Sequence, residues 1–80
     1  MGKHDKTLSK VLSGKSDYNI GLNDLVSLLL YKGFRQRIEG SHMVFTREGI
    51  QERLNIQSEG GKAKGYQVKQ IRKIFIKYSI

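Results

Sequence analysis

A chain of 80 residues with 15 Lys/Arg against 7 Asp/Glu, a net charge of +8 and no cysteine reads as one small basic domain. At this length folding buries roughly 60% of the unfolded surface, so stability is modest. The missing cysteines exclude a disulfide framework and a thiolate metal site.

The longest apolar run, Leu28 to Tyr31, falls far short of the ~18 residues that a membrane-spanning helix needs. Met1 to Lys6 leads into no apolar segment of signal-peptide type, and the chain reads as cytoplasmic. The charge favours nucleic acid, an anionic membrane surface or an acidic protein as partner. Six Lys/Arg and no acid between Gly60 and Ile80 are more uneven than solubility alone would ask.

In chain order, Asp5 can cap a short helix from Lys6 to about Ser13, with Leu8, Val11 and Leu12 on one side and Gly14 as its stop. Two turns do not stand alone in water, so this helix docks or frays, and His4 falls in the frayed start. Lys15 to Gly21 is a connector, which makes residues 1–21 an N-terminal extension to a core of residues 22–80. Leu22 to Lys32 is the clearest helix: Leu22, Leu25, Val26 and Leu29 form an i, i+3, i+4, i+7 stripe that Leu28 and Leu30 widen, and Gly33 suits a left-handed stop.

Three strands follow. Phe34 to Glu39, His42 to Arg47, and Gln51 or Glu52 to Gln57 each alternate, and the short turns around Gly40-Ser41 and Gly49 join them into an antiparallel meander. With Phe34, Ile38, Met43, Phe45, Leu54 and Ile56 turned to the helices, the opposite face carries Arg35, Arg37, His42, Thr46, Arg53 and Asn55. His42 is the one histidine inside this core, and a neutral imidazole can take or give a proton near neutral pH. On a cationic face it points to phosphate chemistry on a polyanion, although a lone histidine near a turn is more often a plain surface residue.

Ser58 to Gly65 reads as a loop in which glycines let backbone approach a ligand and Lys62 and Lys64 reach phosphate; a flexible linker fits the composition equally. Tyr66 to Tyr78 is the last helix, with Val68, Ile71, Ile74, Phe75 and Tyr78 inward and Lys69, Lys73 and Lys77 outward. The elements together predict an α+β fold, α-β-β-β-α with an extra short N-terminal helix, its antiparallel three-stranded sheet covered by helices on one face.

This order, with Gly40-Ser41-His42 at the first hairpin, Phe45 to Gly49, Gly60 to Lys64 and Tyr66 to Gln70, resembles the HicA-type toxins of bacterial toxin–antitoxin pairs. The likeness covers most of the chain. Met43 stands where many relatives carry a second histidine, and Gly65 where they often have proline. The resemblance implies a fold like the double-stranded-RNA-binding domain, an mRNA interferase that needs no metal or other cofactor, and a HicB-type antitoxin as protein partner. It places the family's catalytic histidine on His42, with Gly40 and Ser41 before it.

In a metal-independent ribonuclease the ribose 2′-OH attacks its own phosphate while a base takes its proton, an acid protonates the leaving oxygen and cations stabilise the developing charge. His42 is expected as base or acid. Lys62, Lys64, Arg35, Arg37 and Arg53 are candidate charge-stabilising groups, Ser41 positions His42 or substrate, and the complementary group is a lysine, Tyr66 or water. The competing expectation is a non-catalytic module that holds A-form RNA by shape and phosphate contacts.

Overall fold

The first helix, α1 (Lys3–Ser13), starts one turn before the expected Lys6 in the computed structural model, which describes residues 2–80 and leaves Met1 outside. Asp5 is the reason. It lies inside the first turn, where its carboxylate accepts the Gly2 N–H at 3.1 Å and faces the positive end of the helix. His4 therefore belongs to the helix and not to a frayed start, its ring stacked on Tyr31 of the next helix with centroids 4.4 Å apart. Val11 and Thr7 are buried, and Gly14 closes the helix in the left-handed region at φ 71°.

The segment after α1 is more than a connector. Buried Asp17 takes a two-pronged ion pair from Arg72 at 2.8 and 3.2 Å, and the same guanidinium donates to the Val11 carbonyl at 3.1 Å. Ile20 is fully buried. Val11 and Ile20 join residues of every later layer in one apolar core, so residues 2–21 pack as part of the same unit.

Helix α2 (Leu22–Tyr31) ends as expected, with Gly33 at φ 91° and the Phe34 N–H reaching back to the Leu29 carbonyl at 3.0 Å. The widened leucine stripe divides: Leu28 is buried with Leu25 and Leu29, while Leu30 is half-exposed.

Strands β1 (Arg35–Glu39), β2 (His42–Thr46) and β3 (Leu54–Ile56) form an antiparallel sheet in that order, the last shorter than the sequence predicted. Arg35 pairs with Thr46 and Glu39 with His42; Val44 pairs with Arg37 on one side and Asn55 on the other. Phe45, Leu54 and Ile56 are buried against the helices, as alternation requires. Ile38 corrects the prediction: it points to the same side but is 67% exposed, because the helix layer leaves the whole of β1 uncovered. The open face also carries Glu39, whose carboxylate pairs with Arg53 at 3.1 Å and lies 3.9 Å from Arg37.

The expected loop from Ser58 is a second, two-stranded sheet, β4 (Ser58–Glu59) and β5 (Lys62–Ala63). Gly60 and Gly61 join its strands with φ of 61° and 79°, the double positive φ of a type I′ turn, which side-chain-bearing residues adopt at a cost. Backbone bonds from Leu22 N–H to the Gly61 carbonyl (3.0 Å) and from Ala63 N–H to the Ile20 carbonyl (3.1 Å) pin this hairpin beside the start of α2. Helix α3 (Gly65–Tyr78) then buries Val68, Ile71, Ile74 and Phe75, and also the polar Gln67. The architecture is α+β, with three helices and an antiparallel three-stranded sheet. Among the described residues no helix is long and apolar enough to cross a membrane.

At the far end of α3, Glu52 accepts hydrogen bonds from the Tyr78 hydroxyl and from Lys77 Nζ at 2.9 Å. The tyrosine bond first and the lysine bond second hold its carboxyl at about 2, against an ordinary 4.5. A carboxyl whose value is lowered on folding adds stability above its unfolded value and loses it as the pH falls through the folded one. The melting temperature should therefore fall between pH about 4.5 and about 2, and Glu52→Gln should remove part of that slope. An unchanged slope in the glutamine variant would remove Glu52 from the acid response.

Candidate functional site

The turn between β1 and β2 has two central residues, and Gly40 at the first has φ 65°, the left-handed value that a type II′ turn requires there. No atom crowds the position of a Cβ at Gly40, so the demand for glycine is conformational and not steric. The turn sets the register, and the register puts His42 on the open face with Val44, as alternation predicts.

Two amides hold the half-buried imidazole. Its Nδ1 lies 3.1 Å from Asn55 Oδ1, and its Nε2 lies 3.2 Å from Gln57 Nε2. Lys64 Nζ donates to Gln57 Oε1 at 3.2 Å. An ammonium is donor only, so the Gln57 oxygen must face Lys64 and its NH2 group must face the ring. His42 Nε2 then accepts, Nδ1–H donates to Asn55, and the network describes a neutral imidazole with its basic lone pair on Nε2.

Gln57 is fixed in turn by its own N–H, which donates to Oε1 of buried Gln67 at 3.2 Å. Sequence reasoning missed both glutamines. The available signal was Gln67, a polar residue on the inward stripe of the last helix, which needs a partner once buried.

The predicted phosphate ligands divide into two kinds. Lys64 is held by Gln57, and Lys62 Nζ donates to Asn19 Oδ1 at 2.9 Å. An amide oxygen positions an ammonium without bringing an opposite charge to it, and among the described residues neither lysine forms an ion pair. Arg37 and Arg53 share the Glu39 carboxylate and are partly neutralised by it. Arg35 is exposed on the same face, but pairs with Thr46 at the far end of β2, about 13 Å from His42 at a strand rise of roughly 3.3 Å per residue.

The structure thus joins His42 to Lys64 through Gln57, holds Lys62 on Asn19, brings Arg37 and Arg53 together on Glu39, the residue paired directly opposite His42, and sets only Arg35 apart. Ser41 is exposed and, among the described residues, makes no hydrogen bond to His42; the ring itself is held by Asn55 and Gln57. Tyr66 is exposed at the start of α3. Among the described residues no three His, Asp or Glu side chains converge where they could hold a metal ion.

Chemically, the arrangement offers a proton acceptor on Nε2, linked through Gln57 to an ammonium that, among the described residues, forms no ion pair. No protein-family model matches the chain, and neither does any curated protein or any solved structure.

Proposed function

We propose that this chain is an endoribonuclease toxin of the HicA type, acting on mRNA without a metal and neutralised by a HicB-type antitoxin. The succession α2, β1 to β3, α3 supports a fold like the double-stranded-RNA-binding domain, with α1 and the β4–β5 hairpin added to it. The observation that carries the reading is the hydrogen-bonded series Lys64–Gln57–His42–Asn55, which keeps an imidazole lone pair near an ammonium that has no ion-pair partner among the described residues.

A phosphodiester group entering this site draws Lys64, and Lys62 beside it, onto its oxygens. Gln57, released by Lys64, turns away and leaves Nε2 to the substrate. The lone pair takes the ribose 2′-OH proton as O2′ bonds to phosphorus. The bond from phosphorus to the 5′ oxygen breaks, and a second donor protonates that oxygen; the products are a 2′,3′-cyclic phosphate and a free 5′-OH. The lysines stabilise the extra charge on the phosphoryl oxygens, and Asn55 holds Nδ1–H as the ring becomes cationic.

The test is incubation of the purified protein with end-labelled RNA in the presence of a chelator. Cleavage products ending in a cyclic phosphate are expected. Salt-sensitive binding with intact RNA would instead describe a binding module without chemistry.

A further inference from the structure

Tyr18 is 81% exposed, yet its position is fixed. On one side Asp17 is buried in its ion pair with Arg72; on the other, Asn19 takes the Lys62 ammonium and Ile20 is sealed in the core. Three consecutive ring atoms, Cδ1, Cε1 and Cζ, lie over Gly65, the first residue of α3. A methyl group added at Gly65 would stand 2.7 Å from Cδ1 and from Cζ. The ring therefore rests on bare backbone next to Lys64, the residue that reaches His42 through Gln57. An aromatic surface held open on an anchored segment, covering the residue after Lys64 and adjoining the Asn19 that binds Lys62, sets an apolar ring beside cations as a nucleic-acid strand sets base beside phosphate.

We propose that Tyr18 is the stacking platform for an unpaired nucleobase of the RNA whose backbone lies along Lys62 and Lys64. This rests on the reading of the His42 site as an RNA site and narrows it: the substrate is single-stranded at that point. In a duplex the base faces are stacked on one another and a side chain cannot cover them.

The experiment measures binding of a 2′-O-methyl oligonucleotide, which cannot be cleaved through its 2′ oxygen, as a single strand and as the same sequence in duplex. Tyr18→Ala should weaken single-strand binding by about 5- to 140-fold, the range for losing one base–aromatic stack, and leave duplex binding and the melting temperature unchanged. Tyr18→Phe should retain most of the affinity. Gly65→Ala, which keeps the tyrosine but pushes its ring aside, should also weaken single-strand binding.

Equal affinity of wild type and Tyr18→Ala for the single strand, an equal loss for the duplex, or no binding of the single strand by the wild type would each overturn the proposal. The assay reads no cleavage. A protein that never cuts RNA yet shows the Tyr18-dependent binding refutes the ribonuclease and leaves the platform standing.

Discussion

If the chain is the ribonuclease proposed above, His42→Ala is expected to leave a folded protein with no measurable RNA cleavage and no growth arrest on expression. A positioned proton-transfer group contributes about 10²- to 10⁴-fold to a rate, and no other imidazole lies on the open face to replace it, since His4 stacks on Tyr31 in the α1–α2 layer. The fold should tolerate the change. The ring is half-buried on the solvent side of the sheet, and Asn55 and Gln57, which it leaves behind, can turn to water. Circular dichroism and thermal melting of the variant check that point separately from cleavage. Ser41→Ala, lacking any bond to the ring, should fall far less. An alanine variant at 42 that cuts RNA as the wild type does would end the assignment.

Ile20→Ala should destabilise the protein by about 2–5 kcal/mol, the usual loss for removing a fully buried isoleucine side chain. For 80 residues a total of roughly 4–12 kcal/mol is typical, so this one change removes a large part of it. Ile20 lies in the stretch that the sequence presents as linker, but its side chain fills the core and its carbonyl holds the β4–β5 hairpin. The expected signature is a lower midpoint in urea with an unchanged slope. Asp17→Ala should act in the same direction by leaving the Arg72 guanidinium without its carboxylate. A shift in Ile20→Ala no greater than at an exposed position such as Leu30 would mean that the extension is dispensable.

Periodicity was enough to find α2 and α3 and to place His42 and the arginines on one face, because those elements are long or strictly alternating and face a single core. It misplaced Ile38, because alternation tells which side a residue faces but not how far the helix layer extends over that side. It read Gly60-Gly61 as freedom near a ligand when the same pair encodes a tight turn. The extension was under-read for a different reason: its buried contacts, Asp17 to Arg72 and Ile20 to Ala63, join residues more than forty positions apart, and no local pattern announces such pairs. Within the site, His42 was legible as a residue type. The glutamines that orient it were not, since an amide has no distinctive sequence signal until its neighbours are known.

The uncovered strand β1 has one more consequence. Its outer rim of amide and carbonyl groups, with Ile38 67% exposed beside it, is the kind of edge on which a foreign strand can add and on which copies of a chain stick to one another. Arg35, Arg37 and Glu39 stand along that rim as charged guards. Stripping the two arginines to study RNA contacts would therefore also lower the barrier to aggregation, and the lost solubility could be mistaken for lost affinity.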